Sequence, residues 1–117
     1  MFKSTKEQDG YKNTQTHYYL TKGDSCTITA TPYKNGASVA SSVSKCMFKL
    51  GNSAYELEKE IEMERTIDGN SFVLNLTHAI SATLAVGQYN YEIEYTMTDG
   101  SVQTPHAWKF DIIKEIQ

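Results

Sequence analysis

The stretch LAVGQYNYEIEYTM, residues 84–97, decides the fold of this chain. From residue 89 onward the large apolar and aromatic side chains fall on every second position, with polar side chains between them. Successive side chains in a β-strand point to opposite faces of the sheet, so this alternation predicts a long strand with one buried face. The side chains expected on that face are Tyr89, Tyr91, Ile93, Tyr95 and Met97.

The same two-residue period recurs on both sides of this strand. It is clear in CTITA (26–30), in KCMFKL (45–50) and in SFVLNL (71–76). Turn signals separate these runs: Asn35-Gly36, Asp68-Gly69 and Asp99-Gly100 are pairs typical of tight hairpins. About seven short strands without a long helix predict an all-β, antiparallel β-sandwich, with a small barrel as the second choice.

The segment AYELEKEIEMER, residues 54–65, fits two kinds of secondary structure. Its Glu and Lys residues favour a helix by propensity. Its odd positions are mostly apolar, however, and its even positions carry five Glu, which is strand alternation. We predict a strand with Tyr55, Leu57, Ile61 and Met63 facing inward and a solvated glutamate face. As a binding surface, that face would select cations.

The last two segments frame the predicted long strand. In THAISATLAVG (77–87), Thr77 or Ser81 is expected to cap a short helical turn, and Leu84 to enter the core. In the final strand, Pro105 lacks an amide donor and belongs at an edge or a bulge. The side chains predicted to share one face of that strand are Val102, Thr104, His106, Trp108, Phe110 and Ile112.

The spacing of four residues favours one kind of sandwich. A tyrosine at the start of the penultimate strand of immunoglobulin-like folds bonds back to the preceding loop, and the residue two positions later points into the core. Leu84, Gly87, Tyr89 and Tyr91 have this spacing. We therefore predict a structural tyrosine corner in an immunoglobulin-like β-sandwich.

No residue pattern in the chain indicates catalysis, a cofactor or a metal site. Cys26 and Cys46 fall on core-facing positions, and a disulfide between them is not expected in a reduced compartment. His17, His78 and His106 are scattered and lack metal-ligand spacing. The prediction is a protein that is not an enzyme and uses no cofactor.

Charge and hydropathy limit the partners. The net charge is −3 and the eleven basic residues form no cluster, so nucleic acid and anionic membranes are not expected partners. No apolar run is long enough to span a bilayer. The polar start MFKSTKEQDG lacks the apolar core of a secretory signal, which predicts folding in the cytoplasm.

The first residues are expected to form a separate unit. Residues 1–14 have little hydrophobicity and no periodicity, so they are predicted to be an N-terminal arm preceding a domain of residues 15–117. Phe2 and Tyr11 are the large side chains of that arm. They are the candidates for docking against a neighbouring chain.

Two longer stretches resemble immunoglobulin-like domains of tailed-phage virion proteins. YYLTKGDSCTITATPYKNG (18–36) resembles the opening of these domains, and residues 76–112 resemble their closing pattern, LTxxxTxxLxxGxYxYxI followed by a DG turn and a VxT strand. The residues at matching positions are Leu76, Thr77, Thr83, Leu84, Gly87, Tyr89, Tyr91, Ile93, Asp99, Gly100, Val102, Thr104, Phe110 and Ile112.

The resemblance implies a non-enzymatic adaptor. Such domains occur in baseplate upper proteins, tail and neck proteins, and head-decorating or head-fibre proteins. The chain would then dock onto other virion proteins in multiple copies or as a homo-oligomer, and would be found in the virion after assembly in the host cytoplasm. The alternative is an adhesion or carbohydrate-binding module that recognises the host surface through the loop aromatics Tyr33 and Trp108.

Overall fold

The computed structural model describes residues 10–116. This part of the chain folds into β-strands with one 3-10 turn, Ala40–Ser42, and one short helix, α1, His78–Ser81. The strands are β1 Tyr18–Thr21, β2 Cys26–Ala30, β3 Tyr33–Lys34, β4 Ala37–Ser38, β5 Val43–Gly51, β6 Leu57–Glu62, β7 Glu64–Arg65, β8 Phe72–Leu76, β9 Gly87–Met97 and β10 Val102–Ile113. The predicted all-β class is confirmed.

The strands form two layers and a small hairpin. The larger sheet has the order β1-β10-β9-β5-β6, the smaller sheet has the order β2-β8-β7, and β3 pairs with β4. Every pair is antiparallel except β1 with β10, which is parallel. The parallel pair departs from the purely antiparallel prediction. It arises because β1 does not pair with its chain neighbour β2 and instead fills the free edge of β10.

The core between the two sheets follows the predicted alternation. On β9, all five predicted inward side chains are buried, and the inward positions of β5 and β8 are buried as well. Phe48, Tyr91 and Phe110 form an aromatic cluster at its centre, with ring centroids 6.0 to 6.5 Å apart. Aromatic pairs at this separation add to the stabilisation from burial.

Segment 54–65 is a strand, as predicted, but two of its side chains do not face the core. Met63 is buried and Ile61 is half-buried, whereas Tyr55 and Leu57 are each 60% exposed. The reason is that the smaller sheet, which packs opposite β6, does not extend far enough. The strand that follows, β7, has only two residues, and no other strand of residues 10–116 covers the first half of β6.

The described part of the predicted arm packs against the sandwich. Tyr11 forms a bridge with Lys34 and is only 5% exposed, because its ring joins the core cluster. Thr14 forms a parallel bridge with His106. Tyr11, a predicted docking residue of the arm, instead has its ring packed within the core of its own chain, which leaves that ring no surface for docking. Phe2 lies outside the described residues.

The pairing of the last strand with β9 is interrupted at Pro105, as predicted. The register of β10 against β9 shifts between Gln103 and His106, on either side of Pro105. The shift changes which side chains face inward, so Val102 is exposed while Thr104 and Pro105 are both buried. Trp108, which was also expected on the inner face, is 42% exposed.

Candidate functional site

The loop before β9 is tied to the strand by a tyrosine. The Tyr89 hydroxyl donates a hydrogen bond to the Ala85 carbonyl oxygen at 2.6 Å, which is the geometry of a tyrosine corner. Leu84 and Tyr91 are buried on either side of it, and Gly87 has φ +154°, a conformation that favours glycine. Burial raises the pKa of Tyr89. These four residues hold the scaffold together.

The connection between β5 and β6, residues 51–56, has an unusual backbone. Tyr55 in this turn has φ +62°, in the left-handed region that glycine, asparagine and aspartate tolerate best. A non-glycine residue in this region is strained, and such strain persists only where the surroundings impose it. We call residues 51–56 the Tyr55 turn.

The side chain of Asn52 imposes the conformation of the Tyr55 turn. Its Oδ1 atom accepts hydrogen bonds from the backbone N–H of Ala54 at 2.9 Å and of Glu56 at 3.0 Å. Its backbone completes the turn, since the Asn52 N–H donates to the Glu56 carbonyl and the Asn52 carbonyl accepts from the Tyr55 N–H, both at 2.9 Å. The turn is therefore closed by four hydrogen bonds to one residue.

A second set of hydrogen bonds fixes the Tyr55 turn to the sheet. The Asn90 side-chain amide donates to the Asn52 carbonyl at 3.1 Å, and Lys109 Nζ donates to Asn90 Oδ1 at 2.7 Å. Asn90 points to the outer face of β9 yet is buried. This chain of contacts crosses β9 and β10, so the turn has a fixed position relative to the larger sheet.

The Tyr55 turn presents apolar surface within an acidic rim. Tyr55 and Leu57 are largely exposed, and between and beside them Glu56 and Glu58 are exposed as well. Asn52 Nδ2 donates to Glu56 Oε1 at 3.1 Å and to Glu58 Oε2 at 3.2 Å, which orders both carboxylates. An exposed aromatic side chain within a polar rim is the one feature of this turn that resembles a protein-docking surface.

The predicted glutamate face is partly neutralised by a lysine. Lys49 lies 3.1 Å from a carboxylate oxygen of Glu94 and 3.7 Å from one of Glu60. Its hydrogen bond to Glu94 raises the pKa of Lys49. The described residues include no group of three or more His, Cys, Asp or Glu side chains arranged to hold a metal ion.

His106 is a buried link between the N-terminal segment and the core. Its Nε2 atom is 2.8 Å from the Tyr95 hydroxyl and its Nδ1 atom is 2.7 Å from the Thr14 hydroxyl. Burial lowers the pKa of His106 to about 4, so the ring is neutral near pH 7. Both ring nitrogens are hydrogen-bonded, so the ring links Thr14 of the N-terminal segment to Tyr95 in the core.

A groove of about 200 Å³ runs between residues 12–18 and the end of β2. Its lining is rich in hydroxyl groups, and buried core residues form its floor. Tyr33, at its rim, is 41% exposed. The groove is lined by Lys12, Thr14, Thr16, Tyr18, Thr29, Ala30, Thr31, Tyr33, Tyr91, Ile93 and His106.

The two predicted loop aromatics do not share this groove. Trp108 is absent from its lining, and it lies within β10 opposite Tyr91 instead of in a loop. Lys109 Nζ lies 5.6 Å from the centre of the Trp108 ring. The carbohydrate-binding alternative treats Trp108 as a loop aromatic, which is wrong; the residue lies on the last strand, as the alternation predicted, because β9 pairs with that segment.

Both cysteines are free thiols. Cys46 is buried beside Met63, with the two sulfur atoms 3.7 Å apart, and Cys26 is half-buried. Burial raises the pKa of Cys46 to about 12, which keeps the thiol protonated near pH 7.

The Tyr55 turn is the feature that sequence reasoning missed. Gly51-Asn52 indicated a break in the strand, but a tyrosine does not indicate a left-handed backbone, because L-residues other than Asn and Asp rarely adopt it. The signal that could have indicated it is Asn52, because asparagine side chains often bond to the backbone two residues ahead.

Solved structures with similar folds are immunoglobulin-like sandwiches. A structure of fibronectin(III)-like modules of Clostridium thermocellum CbhA matches with a TM-score of 0.51 and 12% identity, covering 91% of this chain and 96% of that one. CopC from Methylosinus trichosporium OB3b matches with a TM-score of 0.53 and 15% identity, covering 92% of this chain and 88% of that one.

Sequence comparison adds nothing to this structural likeness. No family model matches the chain, and no curated protein is similar to it. Within residues 10–116, no helix has the length and apolar character required to cross a membrane. At these identities the structural matches carry the fold alone, and the chain has an immunoglobulin-like β-sandwich fold.

Proposed function

We propose that this chain is a non-enzymatic adaptor that docks in multiple copies onto a larger protein assembly, and that the assembly is a tailed-phage virion. The observation that carries the docking role is the Tyr55 turn. The virion as its location, reached by assembly in the host cytoplasm, rests on the sequence resemblance across residues 18–113. Other virion proteins are then its partners, and neither nucleic acid nor membrane is.

The Tyr55 turn supports docking because it holds a largely exposed aromatic ring on a backbone in the left-handed region. A Tyr at φ +62° costs stability, and its ring is mostly in water instead of in the core. Glycine or asparagine would close the same turn without that cost. A rigid tyrosine presented at low entropic cost is a common anchor of protein interfaces.

The charges around the anchor specify the surface that it fits. Glu56 and Glu58 flank Tyr55 and Leu57, and both carboxylates are oriented by Asn52. An acidic rim around an apolar centre favours a partner surface with a hydrophobic pocket bordered by Lys or Arg. The adaptor would select its docking position through this complementarity.

Copurification with particles tests the proposal. Virions from a lysate carrying the gene are separated on a density gradient, and the amount of the chain in the particle band is measured by quantitative mass spectrometry. The wild-type chain is expected in that band. The amount of the double variant Tyr55→Ala/Leu57→Ala in the band is expected to be at least tenfold lower. Ile67→Ala is the control, because Ile67 is another exposed apolar residue but lies in the β7–β8 turn.

Two results would contradict the proposal. A wild-type chain that is absent from purified particles would refute the virion role. Equal incorporation of the Tyr55→Ala/Leu57→Ala and Ile67→Ala variants would refute docking through the Tyr55 turn.

The predicted docking arm can be tested in the same assay. Removal of residues 1–9, which include Phe2, is expected to lower incorporation without unfolding the domain. The deletion must stop before Tyr11, because that ring belongs to the core. A deletion variant that is incorporated like the wild type would exclude the arm from docking.

A carbohydrate-binding module is the second candidate, and the groove beside Tyr33 favours it. Hydroxyl groups and an aromatic ring at the rim suit a sugar ligand. Many of these hydroxyls are already engaged, however: Thr14 with His106, Thr31 with Ser71, and Tyr91 with the Thr16 carbonyl. Glycan-array binding of the wild type and of Tyr33→Ala tests this candidate, which predicts binding that Tyr33→Ala loses. Tyr19→Ala is the control, because Tyr19 is another exposed tyrosine.

A further inference from the structure

The strand β2 lies at an unpaired edge of the smaller sheet. Among residues 10–116 its ladder partner is β8 on one side, and no described strand pairs with its other side. The backbone N–H and C=O groups along an open edge can pair with another strand. The two isolated bridges of the N-terminal segment involve Lys34 and His106, and the groove described above separates residues 12–18 from the end of β2, so these residues form no ladder with β2.

The composition of β2 offers no protection against pairing. Natural edge strands are usually blocked by charged residues, proline or bulges. The opposite edge of the larger sheet, β6, follows this rule with Glu58, Lys59, Glu60 and Glu62. Between Asp24 and Lys34, by contrast, no residue carries a charge, and β2 itself alternates Thr with small or apolar residues.

We propose that β2 pairs with β2 of a second copy of this chain in an antiparallel, two-fold symmetric contact centred on Ile28, joining the two smaller sheets into one. This contact deepens the multi-copy role proposed above.

The alternation of β2 selects this register. Ile28 faces inward and Thr27 and Thr29 face outward. Only registers that pair like-facing residues keep both cores closed. Of those, the one centred on Ile28 pairs the full length of β2, and it places Thr27 opposite Thr29 of the second copy on the exposed face. Thr–Thr pairs across strands are favourable.

The flanking charges favour the antiparallel direction. Asp24 lies just before β2 and Lys34 lies just after it. An antiparallel contact brings each Asp24 toward the end of the second copy that carries Lys34, whereas a parallel contact would bring like charges together. In this register Lys22 falls opposite Lys34 of the second copy, but the ammonium group of Lys22 is engaged by the carbonyls of Ala82 and Leu84 at 2.9 and 2.5 Å in its own chain.

The contact is expected to be weak in solution. Two short strands bury much less than the roughly 1,600 Å² of a standard stable interface. We expect a dissociation constant on the order of 0.1–1 mM, at the weak end of measured affinities. On an assembly that already holds many copies close together, the same contact gains through its high effective concentration.

Cysteine trapping tests both the contact and its register. In a Cys26→Ser background, the variant Thr27→Cys/Thr29→Cys places thiols opposite each other across the proposed two-fold axis. Within one chain these positions are about 7 Å apart along the strand, too far for a disulfide, whose Cβ atoms are roughly 4 Å apart. Mild oxidation at 0.5 mM protein is expected to yield a disulfide-linked dimer on non-reducing gels.

The matched control shifts the axis by one residue. Thr27→Cys/Thr31→Cys carries the same number of thiols at the same edge, but positions 27 and 31 of the two copies face each other only in a register centred on residue 29. It is expected to give at least tenfold less dimer. Equal cross-linking of the two variants, or none in the first, would overturn the proposal.

Sedimentation equilibrium provides an independent measurement without new thiols. The wild type is expected to show concentration-dependent dimerisation, and Thr27→Lys, which places a charge on the edge, is expected to weaken it at least tenfold. Val102→Lys, at the exposed start of β10 in the larger sheet, should leave it unchanged. A monomer at every concentration up to 1 mM would overturn self-pairing and leave the edge to a strand of another protein or to residues 1–9.

The outcome is separable from that of the docking assay. A chain that copurifies with virions but does not self-associate would refute this contact alone, whereas a chain that dimerises but is absent from particles would refute the proposed function alone.

Discussion

Replacing Tyr55 with glycine is expected to stabilise the domain while removing its proposed docking anchor. A left-handed backbone costs an L-residue with a Cβ atom about 1–2 kcal/mol, and Tyr55 has φ +62°. Glycine adopts this conformation freely but loses about 0.5–1 kcal/mol through the greater entropy of its unfolded chain. The net gain expected for Tyr55→Gly over Tyr55→Ala is therefore about 0.5–1 kcal/mol.

Tyr55→Ala is the matched control because alanine removes the ring and keeps the strain. The ring is 60% exposed, so its removal changes few core contacts, and that change is the same in both variants. The comparison between glycine and alanine therefore isolates the backbone term. The assay is urea unfolding followed by circular dichroism, with a thermal melt in which Tyr55→Gly should exceed Tyr55→Ala by roughly 2–6 °C.

The same pair of variants connects stability to docking. Both lose the aromatic ring, so both should fall equally in the particle-incorporation assay although one is the more stable protein. If Tyr55→Gly unfolds at the same or a lower urea concentration than Tyr55→Ala, the turn stores no strain. The argument that the backbone is held in this conformation in order to present the ring would then fail.

Three further perturbations follow from buried polar contacts. Tyr89→Phe removes the hydrogen bond to the Ala85 carbonyl and should lower the free energy of unfolding by about 1 kcal/mol in urea titrations. Folding lowers the pKa of His106 to about 4, so between pH 6.5 and 4 the unfolded chain binds a proton at this residue that the folded chain does not. The free energy of unfolding should therefore decrease by up to roughly 3 kcal/mol as the pH falls from 6.5 to 4, and His106→Gln should reduce this pH dependence. Arg65→Met removes the donors to two backbone carbonyls at 2.6 Å together with the cation–π contact to the Phe72 ring, and should lower the melting temperature by roughly 5 °C or more.

Much of the fold could be predicted from short-range patterns. The alternation that defines β2, β5, β8 and β9 can be read from consecutive residues, because the two-residue period of a strand is a property of the backbone. The hairpin at Asn35-Gly36 and the cap of α1 at Thr77 are equally local. The site could not be read in this way, since the exposure of Tyr55 and Leu57 depends on how far the opposite sheet extends.

The amino-acid sequence alone determined where the strands and turns are and which face of most strands is apolar, because these depend on neighbours within a few residues. The tertiary structure decided the rest: that Tyr11 is buried, that Asn52 forces Tyr55 into a left-handed conformation, and that no strand within residues 10–116 pairs with the outer edge of β2. The physical reason is that each of these outcomes depends on which segments meet in space. A uniform alternating pattern is compatible with several such pairings, and only packing of the two sheets selects one.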